Sequence, residues 1–94
     1  MAYYRDLVIK TYRNPGEPSN KAIRARPVPG QGVSPHLNVE CSSGMRHSHP
    51  PGTLFIVRAK ITDVEGTPFI YSYFGWPYRV VSEREAEQFI HGNS

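Results

Sequence analysis

The chain has 94 residues, a formal net charge of +3 and 38% hydrophobic residues, which suits one small domain and excludes a catalytic domain joined to a regulatory one. Aromatic residues make up 12% of the chain, too many for an intrinsically disordered protein. Its single cysteine cannot form an internal disulfide, no basic and then apolar segment marks a signal peptide, and no apolar run approaches the ~20 residues of a membrane span. We therefore expect one domain over residues 1–94, located in the cytoplasm and without a membrane partner.

The first predicted element is a β-strand over residues 3–12, YYRDLVIKTY. Tyr3, Arg5, Leu7, Ile9 and Thr11 point to one side of this strand, and the residues between them point to the other. The sequence Asn-Pro-Gly at 14–16 ends the strand, because proline and glycine interrupt the ladder and favour a turn.

The second predicted segment is an arm rich in proline and glycine over residues 13–52. Residues 14–52 contain seven prolines and five glycines, with short apolar islands at 22–23 and 37–39 that suit brief strands or single turns. A stretch of this length without secondary structure is uncommon in a small domain. Two alternatives remain open, an ordered arm that lies over the sheet and a partly mobile loop.

Residues 53–74 predict a β-hairpin with its turn at 63–66, DVEG. The aspartate and glycine at the two ends of the turn suit a type I turn followed by a glycine bulge. This turn places Ile61 opposite Phe69 and Val57 opposite Tyr73. Both faces of the hairpin then carry apolar side chains, and the register depends on the turn because a slip of one residue exchanges the two faces.

A short strand at 78–81 and one helix follow the hairpin. Ser82 and Glu85 form a capping box, in which each side chain bonds the backbone N–H of the other residue. The predicted helix runs from about Glu83 to His91, with Ala86, Phe89 and Ile90 as its apolar stripe. Two to three turns are too few for a helix to be stable alone, so this helix must pack against the sheet.

These elements predict an α+β fold, mainly an antiparallel sheet of about four or five strands with one short C-terminal helix, and a partly open barrel as the architectural alternative. One short helix does not suffice to cover both apolar faces of the hairpin. Uncovered apolar surface of that size marks an interface, and two-fold homodimers are the commonest assembly. The residues expected to make binding or interface contacts are Leu54, Ile56, Arg58, Tyr71, Tyr73, Phe74, Trp76 and Tyr78.

The leading functional hypothesis is a non-enzymatic interaction module that self-associates, with a dimer as the first choice and without a cofactor. The alternative is binding of single-stranded RNA, because stacking aromatic rings and neighbouring cations are the groups that such proteins use. Tyr71, Tyr73 and Trp76 would stack on bases, while Arg58 and Lys60 would meet phosphates. Residues 1–26 add six Lys or Arg against two acidic residues, a local charge of +4.

The segment RHSHPPGT at 46–53 raises a third alternative, a small hydrolase that depends on histidine or on a metal ion. In an extended backbone His47 and His49 project to the same side, and Cys41 lies upstream as a further ligand. Zinc requires about four ligands, or three and a water molecule, and the sequence contains no C-x-x-C or H-E-x-x-H motif. We expect a polar loop here and no intrinsic metal site.

Overall fold

Six strands and two helices make up the part of the chain that the computed structural model describes, namely residues 3–16, 23–62 and 68–92. None of the helices in these residues is long and apolar enough to cross a membrane. In chain order the elements are β1 (Tyr3–Arg13), β2 (Ile23–Pro27), β3 (Val39–Glu40), α1 (Ser43–His47), β4 (Leu54–Thr62), β5 (Phe69–Tyr71), β6 (Tyr78–Val81) and α2 (Glu83–Gly92).

The strands form one six-stranded sheet around the two longest of them, β1 and β4, which pair antiparallel. β2 pairs with the free side of β1, and the other side of β4 pairs with β5 at one end and with β6 at the other. β3 adds to β5 as the parallel member of an otherwise antiparallel sheet. The sheet curves into a nearly closed barrel, which confirms the predicted α+β class, the mainly antiparallel sheet and the C-terminal helix.

The hairpin register differs by one residue from the prediction. Ile61 pairs with Ile70 and not with Phe69, and β5 ends at Tyr71. Val57, predicted to face Tyr73, pairs with Tyr78 of β6. The predicted turn at 63–66 lies outside the described residues. Because β5 is short, residues 72–77 leave the sheet as a loop between two strands that both pair with β4.

The odd-numbered residues at 7–11 of β1 and at 55–59 of β4 face the barrel interior. Leu7, Ile9, Phe55, Val57 and Ala59 are at most 1% exposed there. The interior core is completed by residues from the other elements, Ala25, Val39, Met45 and Ile70. The alternation predicted for the first strand is therefore the pattern that fills the barrel.

The even-numbered residues of the same strands form the outer face, and α2 packs across part of it. Val8, Leu54, Ile56 and Val81 are buried with Ala86 of the helix in a second apolar cluster. The structure thereby places two of the residues expected at an interface, Leu54 and Ile56, beneath the chain's own helix.

The capping box at the start of α2 is confirmed. Glu85 N–H donates to the Ser82 hydroxyl at 3.1 Å, and Ser82 N–H donates to the Glu85 carboxylate at 3.0 Å. Hydrogen bonding to the Glu85 carboxyl from the Ser82 backbone N–H, and then from the Ser82 side chain, lowers the pKa of this carboxyl, since a carboxylate that accepts hydrogen bonds is favoured in its ionised form. A carboxylate in the first turn also suits the positive end of the helix dipole.

The segment predicted as an arm contains β2, β3 and α1, and it is tied to the sheet by one glutamine. Val8 N–H donates to Gln31 Oε1, and Gln31 Nε2 donates to the carbonyls of Val8 and Val28, each at 2.8 Å. The Gln31 amide thus continues the ladder that β2 makes with β1. Gly30 and Gly32 flank it at φ values of 99° and 80°, a backbone region that favours glycine.

Candidate functional site

The loop at residues 72–77 is held against the edge of β4. The Ser72 hydroxyl donates to the Arg58 carbonyl at 2.7 Å, and Ser72 N–H donates to the Glu40 carbonyl at 2.8 Å. A turn follows in which Trp76 N–H donates to the Tyr73 carbonyl at 3.0 Å. These bonds fix the base of the loop and present the aromatic side chains at its tip.

Five rings gather where this loop meets the outer face, and we call them the aromatic cluster: Tyr4, Tyr71, Tyr73, Phe74 and Trp76. The Trp76 ring is at its centre, with edge-on contacts at centroid distances of 5.6 Å to Tyr4, 6.2 Å to Tyr71 and 5.8 Å to Tyr73. Phe74 contacts Tyr73 at 4.6 Å and is 73% exposed. Edge-on packing of rings at these distances is favourable, so the cluster holds its shape while much of its surface faces solvent.

Tyr4 is the member of the cluster that the sequence did not indicate. It joins because Tyr4 pairs with Lys60, and Lys60 pairs with Tyr71 across β4. Residues opposite each other on neighbouring strands share a face. The signal that would find Tyr4 is the pairing of β1 with β4, which connects residues far apart in the chain.

Two cations lie on the same face as the cluster. The Lys60 ammonium is 5.9 Å from the centre of the Tyr4 ring, within the range of a cation–π contact. Arg58 lies 3.6 Å from the Asp6 carboxylate, and both side chains are about half exposed. A pair this exposed contributes at most about 1 kcal/mol, so Arg58 can exchange Asp6 for another anion at little cost.

Tyr78 does not belong to the aromatic cluster. It pairs with Val57 and therefore lies at the rim of the inner face, beside Val80, where its ring contacts Phe55 at 5.8 Å. The eight predicted contact residues thus fall into three places. Leu54 and Ile56 lie under α2, Tyr78 lies on the inner rim, and the remaining five surround the loop at 72–77.

The two histidines at 47 and 49 do not share a ligand geometry, because the backbone there is helical and not extended. The Ser42 hydroxyl accepts a hydrogen bond from Met45 N–H and begins α1. His47 then lies on the helix with Nδ1 2.7 Å from the Ser43 carbonyl, while His49 packs edge-on against Phe55 at 5.4 Å. Within residues 3–16, 23–62 and 68–92, no three His, Cys, Asp or Glu side chains group as metal ligands.

Cys41 is half-buried at the other end of this segment. Burial raises the pKa of its thiol to about 11, against a smaller lowering by Arg46. The thiol is therefore protonated at neutral pH, and thiolate is the nucleophilic form. His47 and His49 contact the Ser43 carbonyl and the Phe55 ring, and these contacts do not involve this thiol.

Comparison with protein-family models, with curated proteins and with solved structures found no match to this chain. The functional argument therefore depends on the geometry of the chain itself.

Proposed function

We propose that the protein is a non-enzymatic interaction module that self-associates, as a dimer in the first instance, through the aromatic cluster. The observation that carries this proposal is the exposure of Phe74, 73% of whose surface is open to solvent. Tyr73 beside it is 42% exposed and Tyr71 38%. Exposed apolar surface that forms one patch is typical of a contact site.

The composition of the patch supports a protein partner. Tyrosine, tryptophan and phenylalanine are enriched at the centres of protein interfaces, and tyrosine and tryptophan are over-represented among residues that dominate binding energy. The charged pair Arg58 and Asp6 lies beside the rings and supplies a polar rim. A two-fold axis through the loop at 72–77 would set each patch against its copy, which is the geometry of an isologous dimer.

The proposal changes the set of contact residues expected from the sequence. Leu54 and Ile56 are buried against α2 and take no part, and Tyr4 is added. We place the module in the cytoplasm, as the one free cysteine supports, because stapled secreted domains of this size use several disulfides.

The test of self-association is the molar mass of the wild-type protein and of Phe74→Ser, measured by size-exclusion chromatography with light scattering over a series of concentrations. We expect the molar mass of the wild-type protein to rise above the 10.6 kDa of one chain at micromolar concentration. The variant should need at least tenfold more protein for the same shift, since losing one central aromatic contact costs about 2 kcal/mol.

Val80→Ser is the matched control, because Val80 is 46% exposed but lies on the inner rim, away from the cluster. It should associate as the wild type does. A wild-type protein that stays at 10.6 kDa throughout, or a Phe74→Ser variant that associates equally well, contradicts the proposal.

Binding of single-stranded RNA is the second candidate, favoured by the position of Lys60 and Arg58 on the same face as Tyr71 and Trp76. Among the described cations of the N-terminal third, Lys10 lies too far away to extend this surface. Lys10 lies six residues along β1 from Tyr4, about 20 Å away, and α2 with its glutamates packs on the sheet between them. The RNA footprint would therefore be confined to the aromatic cluster.

This candidate predicts that the anisotropy of a labelled single-stranded oligoribonucleotide rises on adding protein at low salt and falls steeply as salt is added. Lys60→Gln should weaken binding and reduce the slope of log K against log salt by about one. Val80→Ser again serves as the control with unchanged binding. Absence of binding at low salt would exclude RNA and leave self-association as the remaining role of the cluster.

A further inference from the structure

A groove of about 790 Å³ runs between α2 and the outer face of β1 and β2, apart from the aromatic cluster. Its floor is apolar and comes from three parts of the chain, with Val28 after β2, Leu54 at the start of β4, and Ala86 and Ile90 on α2. This volume lies within the range of roughly 300–1,000 Å³ that small-molecule sites occupy. The groove is therefore large enough for a ligand of moderate size.

One wall of the groove carries two cations. Lys10 and Arg26 face each other across the pairing of β1 with β2, and both line the groove. The Arg26 guanidinium lies 4.3 Å from the centre of the Tyr12 ring, which holds it in place. Within residues 3–16, 23–62 and 68–92, neither cation has a carboxylate at ion-pair distance.

The opposite wall carries Glu83 and Glu87, one helical turn apart on α2. Two carboxylates here repel a second anionic group, so negative charge is favoured on the side of Lys10 and Arg26. The complementary occupant has one anionic head and an apolar body that lies along the floor. A dianion, or a polyanion that spans the groove, would meet the glutamates.

We propose that this groove binds an amphiphilic monocarboxylate, with its carboxylate between Lys10 and Arg26 and its hydrocarbon over Leu54, Ala86 and Ile90. A guanidinium held against a ring keeps its N–H edge for a carboxylate, which it can bind through two parallel hydrogen bonds. The hydrocarbon gains from leaving water for an apolar floor. This site is independent of the aromatic cluster and of self-association.

The test is calorimetric titration of the full chain with dodecanoate, kept below the concentration at which it forms micelles, beside dodecan-1-ol and dodecylammonium. We expect one saturable site for dodecanoate and binding at least tenfold weaker for the other two. Arg26→Gln and Lys10→Gln should each weaken the binding of dodecanoate by about tenfold or more, which is the effect expected for loss of a charge-assisted hydrogen bond. Circular dichroism of each variant verifies that it is folded.

Arg79→Gln is the control, because Arg79 is an exposed cation on the same face of the sheet but does not line the groove. Its guanidinium pairs with the Glu85 carboxylate. It should bind dodecanoate as the wild type does. Three outcomes overturn the proposal: no saturable binding, equal affinity for dodecylammonium, or equal weakening by Arg79→Gln and Arg26→Gln.

Discussion

Replacing Phe55 with alanine is expected to lower the free energy of unfolding by about 3–5 kcal/mol. Phe55 is fully buried in the barrel, where Ile9 faces it on one neighbouring strand and Val80 on the other. Its ring also contacts His49 and Tyr78. The substitution removes a large buried apolar side chain and leaves a cavity. The hydrogen-bonded strands around it cannot shift far enough to fill this cavity.

Urea denaturation followed by circular dichroism measures this loss. Domains of this size have a total stability of about 5–14 kcal/mol, so Phe55→Ala could leave too little folded protein. Phe55→Leu is the milder variant, and we expect it to cost about 1–1.5 kcal/mol. Phe74→Ala, measured at a concentration where the protein is monomeric, should change stability by less than about 0.5 kcal/mol. Similar effects of Phe55→Leu and Phe74→Ala would contradict the position of Phe55 in the core.

Replacing Gln31 with leucine is expected to cost about 2–3 kcal/mol. Leucine has nearly the same size but cannot bond, so the Val8 N–H and the Val28 carbonyl lose the partner that Gln31 provides. The Val8 carbonyl loses one of two bonds and keeps the one from Val28 N–H. The side chain of Gln31 is buried, at 7% exposure, and a buried polar group left without a partner costs about 1–3 kcal/mol. For a chain of this length, each kcal/mol lowers the melting temperature by roughly 4–8 °C.

Gln88→Leu is the matched control for this prediction, since the same substitution is then made at an exposed position on α2. It should leave the melting temperature nearly unchanged. Hydrogen exchange gives a second measurement, because the Val8 amide should lose protection in Gln31→Leu and keep it in Gln88→Leu. Unchanged protection of the Val8 amide would show that the Gln31 side chain does not take the place of a backbone hydrogen-bond partner.

The elements that the sequence predicted well are those determined by local pattern. The alternation in β1 continues over eleven residues, and the capping box identifies the start of α2 at Glu83 from four consecutive residues. Strand β6 was predicted at the bounds it has. In each case the apolar alternation or the capping box lies within the element itself, so the element can be predicted without knowing which strand or helix it packs against.

The elements that the sequence indicated only as alternatives, brief strands or single turns at 22–23 and 37–39, are those stabilised by a distant partner. β3 has two residues and exists because it pairs with β5, and β2 exists because β1 and Gln31 complete its ladder. The hairpin register slipped by one residue because it was derived from an assumed turn type. No pattern within residues 13–52 indicates any of these pairings.

The types of residue at the candidate site were easier to predict than the identity of each residue in it. Aromatic rings and cations were expected around residues 71–76, and the structure groups most of them there. Tyr4 was not among the expected contact residues, and Tyr78, which was, lies apart from the aromatic cluster. Both positions depend on which strands flank β4. Leu54 and Ile56 were expected to be free because the area that α2 covers cannot be read from its length.

The barrel is closed without a complete backbone ladder. β2 and β3 lie side by side, yet no backbone hydrogen bond joins them among the described residues. The closure depends on Met45, buried in the interior, and on the Arg46 guanidinium, which donates to the Ile23 carbonyl at 2.9 Å while its Nε is buried without a partner. Separating the two strands would break the bond from Arg46 to Ile23 and leave intact the strand pairings of the described residues. We expect transient opening of this wall to cost less free energy than the separation of a hydrogen-bonded strand pair, and it would admit solvent to the interior before the molecule unfolds.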